Sequence, residues 1–107
     1  MKKIDILGTE WTIDESKMLN GPCGYCDNTV KTIELCKVGL AQTDFDGAVA
    51  DVGIVKRETL RHELIHAIGF ECGLGSQSFL GEEACVDWIA RMFPKLKDIF
   101  ERAECAE

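Results

Sequence analysis

Residues 57–72 read RETLRHELIHAIGFEC, and two patterns overlap in them. Leu60, Leu64, Ile65, Ile68 and Cys72 recur at the three- and four-residue intervals of one helix face. That spacing predicts an amphipathic α-helix that begins near residues 51–55 and buries this stripe. Within it, His62-Glu63-Leu64-Ile65-His66 is an HExxH pattern. Residues four apart stand one above the other on a helix face, so both imidazoles can reach one cation. Glu63 follows the first imidazole directly and is left free to take a proton from a metal-bound water. The chain has two histidines. Random placement would set them four apart with a glutamate after the first on the order of once in 500 chains of this composition, so coincidence is a poor explanation of the pattern.

A catalytic zinc takes three protein ligands and keeps its fourth position for water, so a carboxylate or a thiolate has to join the histidines. Gly73, Gly75 and Ser76 end the motif helix. A second helix is expected from near Leu80 through EEACVDWIARMF, with Cys85, Trp88, Ile89, Met92 and Phe93 on its apolar side. Pro94 is expected to open a third, short helix resting on Leu96, Ile99 and Phe100. The turn between the first two helices is short enough to fold the second back on the first, which brings Glu82 or Glu83 to the metal. Glu83 is favoured because Asp87 lies four residues later on the same face, where it can hydrogen-bond the far nitrogen of a ligand histidine. Glu82 is the alternative, one position away at the helix start.

Upstream, apolar and polar residues alternate from Lys3 to Asp14 around Gly8-Thr9, which predicts two short strands and a tight turn. Residues 20–24 are loop formers, and TVKTIELC (residues 29–36) has the β-branched alternation of a third strand. Residues 37–50 show little periodicity and are read as a loop, a candidate wall of the site. Their DFDGAVAD stretch is too sparse in ligands for calcium. The expected architecture is α+β: one domain over residues 1–107, with a small antiparallel sheet packed on the motif helix and two further helices.

The net charge of −7 disfavours nucleic acid as a partner, because phosphate binding needs clustered Lys and Arg. No apolar run approaches the roughly 20 residues of a membrane span, and MKKIDILGTEW has no signal-peptide core. A cytoplasmic location is expected, where the six cysteines stay reduced. Cys72 and Cys85 are read as small buried hydrophobes, and Trp11 and Trp88 as core. Cys23 and Cys26 have CxxC spacing, with Cys36 further on, and leave a second metal site or a redox pair open. The sequence does not settle the oligomeric state.

The helix ETLRHELIHAIGFECGL (residues 58–74) followed by LGEEACVDWIA (residues 80–90) resembles the gluzincin arrangement, HExxH and then a glutamate on the next helix. The form is the compact one of ImmA/IrrE-like metallopeptidases, and it is similar to small phage-encoded proteins of that kind. The likeness is strongest over residues 58–91. It implies a minimal zincin-like fold, zinc as cofactor, His62, His66 and Glu83 as ligands, Glu63 as general base and Asp87 as the neighbour that steadies a ligand. The implied activity is hydrolysis of a peptide bond in a protein or peptide substrate. No His or Tyr follows the motif, so an oxyanion would have to be met by Arg57, Arg61, Tyr25 or backbone N–H groups. The other function weighed is a non-catalytic, zinc-stabilised protein that docks a host or regulatory protein. A cysteine such as Cys72 closing the fourth zinc position would favour that reading.

Overall fold

The computed structural model describes residues 1–16, 24–36 and 52–107. Cys23, the loop formers before Gly24 and the 37–50 segment lie outside the described residues. Strand β1 (Lys2–Ile6) and strand β2 (Thr9–Asp14) form the expected hairpin. Its two-residue turn falls at Leu7 and Gly8, which have φ values of 51° and 95°. Positive φ at both positions matches the right-handed twist of the flanking strands. The third strand anticipated over residues 29–36 is β4 (Thr32–Leu35), and a further strand that the sequence did not announce, β3 (Gly24–Asp27), precedes it and is joined to it by a turn. Asp27 Oδ1 accepts from the Thr29 N–H in that turn at 2.9 Å.

The fold is α+β, but its sheet is mixed rather than antiparallel throughout. The strand order is β1-β2-β4-β3, and β2 runs parallel to β4 with Ile13 opposite Ile33. One face of the sheet buries Ile6, Trp11, Ile13, Ile33 and Leu35. The long helix α1 (Val52–Glu71) closes that face, with Ala67 at the centre of the contact and Leu60 and Leu64 beside it. The buried stripe of α1 is therefore not the one expected: Ile68 and Cys72 are exposed, and Glu63 and Ala67 are buried. At the C-terminal end of α1, Glu71 accepts from Thr9 Oγ1 and Trp11 Nε1, both at 2.8 Å, and pairs with Lys31 Nζ at 2.9 Å. These bonds hold its carboxyl below the usual carboxylate range, the Lys31 contact first, and satisfy the indole N–H of a fully buried tryptophan.

After Gly73, a 3₁₀ turn at Phe79–Gly81 leads into helix α2 (Glu83–Arg102). At Gly81 an added Cβ would stand 2.0 Å from the Ser76 carbonyl oxygen, so only glycine lets the connection fold this tightly. The helix anticipated after Pro94 does not start there, because α2 runs unbroken through that proline. Proline has no N–H to give the carbonyl four residues back, which is that of Ala90. Arg61 of α1 supplies the missing donor: its Nε donates to the Ala90 oxygen at 2.6 Å. Ala90 and Val86 are the buried residues of α2, whereas Trp88 is 55% exposed and is not a core residue. Cys85 is partly buried. No described helix is long and apolar enough to cross a membrane.

The Arg61–Ala90 bond makes a prediction about stability. Arg61→Ala leaves a buried carbonyl without a donor and is expected to cost about 1–3 kcal/mol. In a Pro94→Ala background the new N–H reaches that carbonyl, and the cost of Arg61→Ala should drop below about 1 kcal/mol. Urea unfolding of the four proteins measures the difference, and equal costs in both backgrounds would rule the account out.

Candidate metal centre

His62 and His66 project from one face of α1 with ring centroids 4.9 Å apart. Their Nε2 atoms face each other at 3.2 Å. The first residue of α2, Glu83, bridges them, with Oε2 at 3.0 Å from His62 Nε2 and Oε1 at 2.8 Å from His66 Nε2. These three residues offer ligand atoms that all lie within 4.8 Å of one another. Glu82 does not join them; its backbone carbonyl takes the Val86 N–H at 2.9 Å and so opens α2.

The chemistry of the donors fits a cation. Asp87 Oδ1 lies 2.6 Å from His62 Nδ1, a separation at which the Nδ1–H donates to the carboxylate and leaves Nε2 as the atom that faces Glu83. Nε2 of both rings and the Glu83 carboxylate thus meet at one point, where a shared positive charge draws them together. Separations of 2.8–3.2 Å approach the edge of about 3.3 Å for a tetrahedron whose corners are about 2.05 Å from a central zinc. Among the described residues no cysteine belongs to the cluster. Cys72 lies beyond it at the end of α1, its thiol 3.5 Å from the Gly69 carbonyl, so it does not close a fourth position.

Glu63 is 7% exposed, one of two buried charged residues among those described. Strand β3 shields it: an added Cβ at Gly24 would come within 3.0 Å of Glu63 Oε2 and 2.7 Å of Thr59 Cγ2. Loss of solvent pushes its carboxyl above the usual range, Glu83 and Asp87 add to the rise, and His62 and His66 oppose it. A buried carboxyl with raised proton affinity beside paired imidazoles has the character of a proton acceptor in a reactive site.

The triad opens onto a cleft of about 610 Å³ lined by both helices and by Gly24, Tyr25 and Cys26 of β3. Of the oxyanion partners named from sequence, Tyr25 lines this cleft. Arg57 does not line it, and Arg61 is committed to Ala90. The sequence reading overlooked Arg91, which lines the cleft and pairs through Nε with Glu58 Oε1 at 2.9 Å. Its four-residue spacing from Asp87, and Asp87's from Glu83, was the available signal. Cys26 also lines the cleft, and burial, followed by the charge of Glu63, pushes its thiol up to about 12. That thiol is a poor redox nucleophile.

Asp87→Asn should weaken binding of a metal ion at this triad about 10- to 100-fold by loosening the orientation of His62. Competition against a chelator of known affinity reads the change, and an unaltered affinity would remove Asp87 from the site. Comparisons with protein-family models, with curated proteins and with solved structures gave no match, so the reading of this centre rests on its own geometry.

Proposed function

We propose that the protein is a zinc-dependent hydrolase that cleaves a peptide bond in a protein or peptide segment lying in the cleft. The observation that carries this reading is the convergence of two imidazole nitrogens and one carboxylate, from two helices, at separations near the edges of a zinc tetrahedron. His62, His66 and Glu83 hold the metal, and Asp87 fixes the ring of His62. Zinc in such a site polarises a carbonyl and brings the pKa of a coordinated water down to about 7.

The chain's own residues account for the proton traffic. Glu63 takes the proton of the attacking water and returns it to the amine that leaves. Its burial suits that task, because a carboxylate stripped of solvent binds a proton more strongly than one in water. Tyr25 lines the cleft, and its phenol O–H is the donor assigned to the carbonyl oxygen as negative charge builds there. Among the described residues no fourth ligand joins His62, His66 and Glu83, which supports hydrolysis over a closed structural site, as does a buried base that a fold staple would not need.

Elemental analysis of gently purified protein, combined with digestion of an unstructured protein such as casein, tests the proposal. One zinc per chain, with cleavage that a chelator abolishes and zinc restores, is the expected result. A chain that carries no zinc and binds none on addition would show the paired histidines to be ordinary helix residues.

A further inference from the structure

The two helical walls of the cleft are ruled in the same way. Glu58, His62, His66 and Phe70 follow one another at four-residue intervals on α1, as do Glu83, Asp87 and Arg91 on α2, and all seven line the cleft. Four-residue spacing keeps each row on one helix face. The metal ligands lie between the Glu58–Arg91 pair at one end and Phe70 at the other.

Charge is distributed unevenly over this surface. Glu58, Glu63, Glu83 and Asp87 line it as acids, and Arg91 is the only cation among the described residues that does so. Glu58 engages Arg91 through Nε, which leaves the two terminal amino groups of a side chain that is 68% exposed. A guanidinium presents those groups as a fork that matches a carboxylate.

We propose that Arg91 receives a carboxylate of the peptide held in this cleft, so that the protein selects a segment with an acidic group on the Arg91 side of the metal centre and an apolar side chain on the Phe70 side. The inference rests on the cleft being a peptide site, as argued above. Apart from the metal itself, Arg91 is the one cationic partner that the described side chains of the cleft offer a peptide acid, and the remaining charged side chains repel it. Glu58 lies six residues from the middle of the HExxH motif, about 9 Å along the helix. An extended peptide covers that distance in about three residues. An acidic side chain at that point and a free C-terminal carboxylate offer Arg91 the same chemistry.

Zinc-loaded Glu63→Gln protein binds without turning over, so calorimetric titration with hexapeptides reads recognition separately from chemistry. The probes are capped peptides with Phe on one side of the central bond and Glu about three residues away on the other, in both orders. Their Gln counterparts are used with the C terminus either amidated or free. We expect the carboxylate-bearing peptides of one order to bind about tenfold tighter than the neutral ones. Preference for the Glu peptide points to a side-chain acid, and preference for the free Gln peptide points to a terminal carboxylate.

Arg91→Ala should bring that ratio to about one, and Arg91→Lys should keep part of it. Glu58→Gln retains an acceptor for Nε and removes the competing charge, so it should widen the ratio. The Arg91–Glu58 pair is exposed and worth little to stability, and an unchanged Tm in the variants confirms that they fold. A ratio near one in the parent, a ratio unmoved by Arg91→Ala, or no binding of any peptide would overturn the inference. Casein cut by the wild type without regard to acidic residues would overturn it while leaving the hydrolase reading standing. Selective binding without cleavage would do the reverse.

Discussion

The Glu63→Gln protein is expected to bind zinc as the wild type does and to hydrolyse peptide about 10²–10⁴-fold more slowly. Glutamine fills the same volume against Gly24 and Thr59, where β3 approaches so closely that an added Cβ would meet both side chains. The fold should therefore be kept while the proton acceptor is lost. A stability measurement separates this from general damage. Burial holds the Glu63 carboxyl above its usual range, so ionising it costs the folded state. In the metal-free protein that cost is absent below the unfolded-state pKa, grows as pH rises through the raised pKa, and is fully present above it. Glu63→Gln relieves the cost, so its metal-free Tm at high pH should equal or exceed that of the wild type, with the gap closing on acidification. A variant that retains full activity would remove Glu63 from the chemistry, whatever its zinc content.

The Glu83→Gln protein is expected to lose zinc, with affinity falling more than about 100-fold. Its effect should exceed that of Asp87→Asn because Glu83 touches both Nε2 atoms directly, whereas Asp87 acts through one ring. The Glu83 side chain is 71% exposed, so little packing is disturbed and the loss can be assigned to ligation. Glu82→Gln is the matched control and should retain one zinc per chain. If Glu82→Gln empties the site and Glu83→Gln does not, the ligand has been misassigned by one residue.

The parts of the fold that local pattern encodes were legible. The β1–β2 hairpin shows as alternation around a turn, α1 as helical spacing ended by glycine, and the two histidines as neighbours on one turn. What escaped was decided by contacts between distant residues. Nothing in GYCD (residues 24–27) alternates, and β3 exists because it pairs with β4 and covers Glu63. The parallel pairing of β2 with β4 is likewise invisible to periodicity. The buried face of α1 was misjudged because hydrophobic spacing favours Ile68 and Cys72, whereas the sheet packs on Ala67 and turns Glu63 inward. Arg91 went unnoticed because an arginine on a polar face reads as solvated until the opposite wall of the cleft is in view.

The proline in α2 has a consequence for the choice between Glu82 and Glu83. Its missing proton frees one carbonyl, Arg61 takes that carbonyl, and α2 is thereby indexed against α1 in both rotation and axial position. Ala90 lies two turns beyond Glu83, so anchoring the one sets the azimuth of the other, while Glu82 is displaced by roughly 100°. The carboxylate that faces the histidines is thus keyed by a bond two turns further along α2. A chain that lost this key could keep every ligand residue and still present the wrong carboxylate, with its helices packed one notch out of phase.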